Sequence, residues 1–69
     1  MKNDLAGRNP KYNENGTIDL EINHPTLGWI PFTADKNDSE AHGRAIFQSC
    51  VNGEYGEVAE YVTHESVSE

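Results

Sequence analysis

The chain has 69 residues, which is enough for one small domain. Its 12 acidic and 5 basic residues give a formal net charge of −7, and the basic residues stand singly along the sequence. Nucleic-acid binding needs a basic stripe that neutralises phosphates, so we expect no direct contact with nucleic acid. No apolar run approaches the roughly 18 residues of a membrane span, and residues 1–10 lack the apolar segment of a secretory signal. We therefore expect a cytoplasmic protein that does not enter a membrane.

Apolar residues are concentrated between Tyr12 and Tyr61. This distribution predicts a single small α+β domain over residues 11–62. The polar and aperiodic residues 1–10 predict a flexible N-terminal arm, and residues 63–69 predict a disordered tail.

The first element after the arm is a predicted hairpin. Asn15-Gly16 is typical of a two-residue type I′ turn, because both residues tolerate positive φ angles. Residues 17–22 then alternate polar and apolar side chains, which predicts a half-buried strand with Ile18, Leu20 and Ile22 facing the core.

Residues 23–28 predict a second turn, and residues 29–32 predict a third strand. Ile30 and Phe32 would share one face, with Trp29 on the other. Pro31 cannot donate a ladder hydrogen bond, so we expect this strand at an edge of the sheet. Such an edge can recruit another chain.

A helix is predicted from about residue 39 to residue 52. Asp38 or Ser39 offers an N-cap, and Gly53 suits the position after the last helical residue. Gly43 falls on the apolar face, where we expect it to let the helix approach Trp29 or the sheet. Residues 54–56 predict a loop. Residues 57–62 fit either a fourth strand or a helical turn, and we favour an irregular or extended segment that returns along the sheet.

These elements predict an α+β fold, a small antiparallel β-meander of about three strands with one helix packed on it. The core is expected to contain Ile18, Leu20, Ile22, Ile30, Phe32, Ile46, Phe47 and Cys50.

The sequence offers no set of residues for catalysis, a cofactor or a metal ion. His24, His42 and His64 have no zinc-ligand spacing with Cys50. A single cysteine also excludes an intramolecular disulfide. We expect Cys50 to be a small buried hydrophobe rather than a reactive thiol. A calcium loop starting at Asp35 would lack its glycine and its final glutamate. We expect no catalytic residue, no cofactor and no metal, and hence no enzyme.

Four residues are candidates for binding a protein partner or a second copy of the chain: Leu27, Trp29, Pro31 and Tyr55. Aromatic anchors of this kind dominate protein interfaces. The alternative is that Trp29 completes a thin core beneath the helix.

Three motifs stand out together: His24-Pro-Thr-Leu-Gly-Trp-Ile-Pro-Phe-Thr-Ala34, Asp38-Ser-Glu-Ala-His-Gly-Arg44 and Gly53-Glu-Tyr-Gly-Glu57. With the acidic and apolar strand before them, they make residues 13–61 resemble a small module found in bacteriophage and prophage proteins. Some relatives are associated with tail or tail-fibre proteins, and the family offers no catalytic residues to carry over.

The resemblance implies a non-enzymatic structural or protein-interaction module, connected with the virion tail or its assembly. The alternative is a phage accessory protein that binds and modulates a host factor through an acidic surface. The first would be made in the cytoplasm of a bacterial host and incorporated into the virion.

Overall fold

A computed structural model describes residues 5–61. Its elements are the strands β1 (Gly7–Tyr12), β2 (Ile18–His24) and β3 (Gly28–Ala34) and the helix α1 (Ala41–Val51). The strands form an antiparallel sheet in the order β1-β2-β3, and α1 contributes to the core on one face. This arrangement confirms the predicted α+β meander with one helix. The tail predicted over 63–69 lies outside the described residues, as does the start of the predicted arm.

Strand β1 begins inside the range predicted as a flexible arm, so the boundary at residue 10 is wrong. Gly7 pairs with Ile22 and Arg8 with Glu21, and the register then shifts before Lys11. At this irregularity Asn9 has a φ of 58°. The irregularity breaks the polar-apolar alternation that identifies a strand in a sequence. Pairing with β2, rather than a local pattern, makes this segment a strand.

The first turn is not the predicted type I′ turn. Gly16 has a φ of 89°, whereas Asn15 is not among the residues with positive φ. Asn13 N–H donates to the Thr17 carbonyl at 2.8 Å and Gly16 N–H to the Asn13 carbonyl at 3.0 Å, which encloses a three-residue loop. The Asn15 side chain accepts from Thr17 N–H, which forms an Asx turn and stabilises the three-residue loop instead of the type I′ turn.

The core lies between the inner face of the sheet and α1. Its buried apolar members are Ile18, Leu20, Ile22, Ala34, Ile46 and Cys50. The prediction is confirmed for five of them, while Ile30, Phe32 and Phe47 are only partly buried at its margin. Ala34 was missed because β3 continues beyond the predicted end at Phe32. The position of β3 at the sheet edge confirms the expectation from Pro31.

The helix begins later than expected, and neither predicted N-cap is correct. Glu40 occupies the N-cap position and its side chain makes no capping hydrogen bond. The Asp38 side chain, two residues before the N-cap position, accepts instead from Glu40 N–H at 2.9 Å and so does not cap the helix. A Cβ at Gly43 would lie 2.7 Å from Cγ of Asp38, so Gly43 makes room for Asp38 and not for Trp29.

The end of α1 confirms the predicted stop at Gly53. Gly53 has a φ of 82°, and its N–H donates to the Cys50 carbonyl at 3.1 Å. Glu54 N–H donates to the Ser49 carbonyl at 3.0 Å, which completes a Schellman motif.

Residues 54–56 form the predicted loop, and residues 57–61 return along the sheet, as expected for an extended segment. Tyr12 N–H donates to the Ala59 carbonyl at 2.8 Å, and Ala59 N–H donates to the Pro10 carbonyl at 2.9 Å. This parallel bridge lies on the side of β1 that β2 leaves free. The segment therefore covers part of one edge of the sheet.

Ile46 is fully buried and Phe47 only half-buried, so the two positions should differ in their contribution to stability. We expect Ile46→Ala to lower the free energy of unfolding by about 2–5 kcal/mol, because it opens a cavity in the core. Phe47→Ala would cost about 3–5 kcal/mol if the side chain were fully buried, and because Phe47 is only half-buried the substitution should cost less than Ile46→Ala. Urea unfolding followed by circular dichroism measures both. A larger loss for Phe47→Ala would contradict the packing of α1.

Gly43→Ala should destabilise the protein, although alanine favours a helix over glycine by about 1 kcal/mol. The new methyl group would displace the Asp38 side chain and break its hydrogen bond to Glu40 N–H. In an Asp38→Gly background the same substitution should become stabilising, because the obstacle is gone. Urea unfolding of the four proteins measures both steps. Stabilisation by Gly43→Ala in both backgrounds would contradict the contact.

Candidate interaction surface

The sheet has an outer face that points away from α1. Residues directly opposite each other on paired strands share a face, so the register assigns the members of this one. They are Arg8 and Lys11 on β1, Asp19, Glu21 and Asn23 on β2, and Trp29, Pro31 and Thr33 on β3. All are exposed except the half-buried Glu21. Among the elements that the structure describes, the helix lies on the opposite face.

Trp29 lies on this outer face with 41% of its surface exposed. The Arg8 guanidinium carbon is 4.0 Å from the centroid of the indole ring, a cation–π contact. Arg8 Nε also donates to Glu21 Oε1 at 2.7 Å, so a second contact holds the cation. The alternative in which Trp29 completes the core beneath α1 is therefore wrong. The indole is oriented by its neighbours and remains accessible.

Leu27 and Pro31 lie on either side of Trp29 along the chain. Leu27 belongs to the loop that precedes β3 and is 67% exposed. His24 Nδ1 accepts from both Thr26 N–H and Leu27 N–H at 3.1 Å, which orders this loop. Pro31 is exposed and shares the face of Trp29. We call Leu27, Trp29 and Pro31 the apolar patch.

Tyr55, the fourth predicted binding residue, does not belong to the apolar patch. A Cβ on Gly7 would lie 2.8 Å from its ring, and Gly7 pairs with the inward-facing Ile22. Its hydroxyl donates to the Leu5 carbonyl at 2.9 Å. Burial raises the pKa of the Tyr55 hydroxyl above its ordinary value. Tyr55 therefore packs against the core on the inner side of the sheet.

A polar cluster at the other end of the outer face was not predicted. Asp19 Oδ1 accepts from Asn13 Nδ2 at 3.0 Å and from Thr33 Oγ1 at 2.7 Å. These hydrogen bonds, that from Asn13 foremost, together with the charge of Lys11, lower the pKa of the Asp19 carboxyl. The hydrogen bonds of the cluster join the β1–β2 loop to β2 and β3. The members of the cluster come from different elements. The one signal for it in the sequence is the spacing of Asp19 and Thr33, which suits opposite positions on neighbouring strands of a meander.

Two side chains of types that often serve in catalysis, Cys50 and His24, have roles in the fold. Burial raises the pKa of the Cys50 thiol to about 11, which disfavours the thiolate. His24 uses its Nδ1 atom in the loop before β3. Within residues 5–61, no three His, Cys, Asp or Glu side chains are grouped so that they could hold a metal ion.

The helix that the structure describes is too short to cross a membrane. Comparisons with protein-family models, with curated proteins and with solved structures found no match to this chain.

Arg8→Ala should increase the accessibility of Trp29 to acrylamide, a neutral quencher, and shift its emission to longer wavelength. The guanidinium that covers the ring is lost, while the strand pairing of Arg8 is made by the backbone. Lys11→Ala is the matched control, because it removes the same charge from the same strand and face. Unchanged quenching in Arg8→Ala, or equal changes in both variants, would contradict the stacked arrangement.

Proposed function

We propose that this protein is a non-enzymatic interaction module of bacteriophage or prophage origin, serving in the virion tail or its assembly. The partner is a tail protein that docks on the apolar patch formed by Leu27, Trp29 and Pro31. The observation that carries this proposal is an exposed outer face of the sheet on which the oriented Trp29 is 41% exposed, with Leu27, 67% exposed, two positions before it in the chain.

The physical chemistry of the apolar patch favours a protein partner. Tryptophan supplies a large contact area with few rotatable bonds, and such residues carry much of the energy of protein interfaces. Arg8 and Glu21 restrict the indole before any partner arrives. Less conformational entropy is then lost on binding, which strengthens the interaction.

The non-enzymatic part of the proposal draws on the positions of the reactive side chains. Cys50 is buried, and Asp19 is engaged by two hydrogen-bond donors. His24 orders the loop before β3. Each of these groups has a role in the fold itself. The phage setting comes from the resemblance carried by residues 13–61.

Mass spectrometry of purified virions tests the proposal, in the phage whose genome encodes the chain. We expect the protein in wild-type particles, and its loss from particles that carry Trp29→Ser. Lys11→Ala is the matched control on the outer face and should be retained, and circular dichroism checks that both variants fold. Presence in infected-cell lysate but not in purified particles would overturn the tail assignment and favour an accessory protein that acts on a host factor.

A further inference from the structure

The three-residue loop between β1 and β2 contains an asparagine followed by glycine, Asn15-Gly16. We propose that Asn15 is a self-modification site, at which the side-chain amide is lost through a cyclic succinimide and water completes the conversion to aspartate or isoaspartate. The chain contains a second such pair, Asn52-Gly53, at the end of α1. The structure favours reaction at the first pair over the second.

The carbonyl oxygen of the Asn15 side chain has two hydrogen-bond donors. Thr17 N–H donates to Oδ1 at 3.1 Å, and Thr17 Oγ1 donates to it at 2.6 Å. Thr17 Oγ1 in turn accepts from Asn13 Nδ2 at 3.0 Å, so the hydroxyl is polarised toward Asn15. Negative charge develops on Oδ1 when a nucleophile adds to Cγ. Two donors on that oxygen stabilise this charge in the manner of an oxyanion hole.

The reaction uses the main-chain nitrogen of Gly16 as its nucleophile. This nitrogen loses its proton to hydroxide and forms a bond to Cγ of Asn15. The bond between Cγ and the side-chain nitrogen then breaks, and ammonia leaves after taking a proton from water. Water next adds to one of the two succinimide carbonyls. Opening at Cγ gives aspartate, and opening at the main-chain carbonyl gives isoaspartate, with no change in oxidation state.

One hydrogen bond opposes the reaction at Asn15. Gly16 N–H donates to the Asn13 carbonyl at 3.0 Å and must be released before attack. Asn15 and Gly16 are both exposed in a loop tip, so this opening involves few other contacts. Because glycine has no side chain, nothing shields its nitrogen once it is free.

Asn52 is held more firmly. Its N–H donates to the Gln48 carbonyl at 2.9 Å, while Gly53 N–H is part of the Schellman motif. Among residues 5–61, its Oδ1 accepts from one donor, Gln48 Nε2 at 3.2 Å. Attack by Gly53 therefore requires the end of the helix to open and finds less stabilisation for the developing charge.

Conversion at Asn15 would change one end of the outer face. The product carries a carboxylate between Glu14 and the Asp19 cluster, in a chain whose formal charge is already −7. Isoaspartate also adds a methylene group to the main chain of the loop, which disturbs the pairing of Asn13 with Thr17.

The test is to age the purified full-length chain at mildly alkaline pH and to quantify deamidation at both sites by peptide mass spectrometry. We expect Asn15 to convert before Asn52. Thr17→Val should slow the deamidation of Asn15 about fivefold, the change expected for one lost neutral hydrogen bond. In Thr17→Ser the deamidation rate should match wild type. The ratio of the two sites within each protein corrects for any general loosening of the fold.

The direction of the Thr17→Val effect decides the proposal. If deamidation of Asn15 relative to Asn52 in that variant stays equal to wild type or becomes faster, the hydrogen bonds of the loop protect Asn15 rather than activate it. Earlier conversion of Asn52 in the wild-type protein would overturn the proposal as well.

Discussion

The structure depends on the burial of one face of the β2 strand in a core cluster that it shares with α1. Ile18 on β2 and Ile46 on α1 are both fully buried, and they lie at the centre of the same cluster. A chain of this size buries only about 60% of the surface that its unfolded state exposes. Because the described part of the chain contains one helix, it covers the sheet on one side. An exposed outer face is the direct consequence.

That outer face is organised by contacts between strands rather than by a second core. Arg8 on β1 reaches both Glu21 on β2 and Trp29 on β3, and Asp19 joins β2 to Thr33 on β3. Exposed ion pairs of this kind contribute little stability one by one. Their effect is geometric, since they fix the directions of side chains that water would otherwise leave free. An exposed face with preset side chains follows from a fold too small to bury them.

Elements that local patterns specify could be predicted from the sequence, and elements that distant contacts create could not. The alternation of side chains predicts strands β2 and β3. The tolerance of glycine for positive φ predicts Gly53 after α1. Strand β1 has no alternation and exists through its pairing with β2 and with Ala59. The same distinction applies to the site. Trp29 follows from strand alternation, whereas Tyr55 is placed by a hydrogen bond to Leu5, 50 positions away.

The position of Pro31 limits how an added strand could pair with β3. A proline in a sheet is tolerated with its nitrogen toward the open edge, because a ladder hydrogen bond would otherwise be lost. The open edge of β3 therefore lacks a donor at the middle of its seven residues. An added strand would meet this gap, which weakens the edge as a template. The opposite edge, along β1, is partly occupied by Ala59. For the proposed interaction, contact through side chains on the outer face is thus favoured over strand addition, because Pro31 both interrupts the edge and shares the face of Trp29.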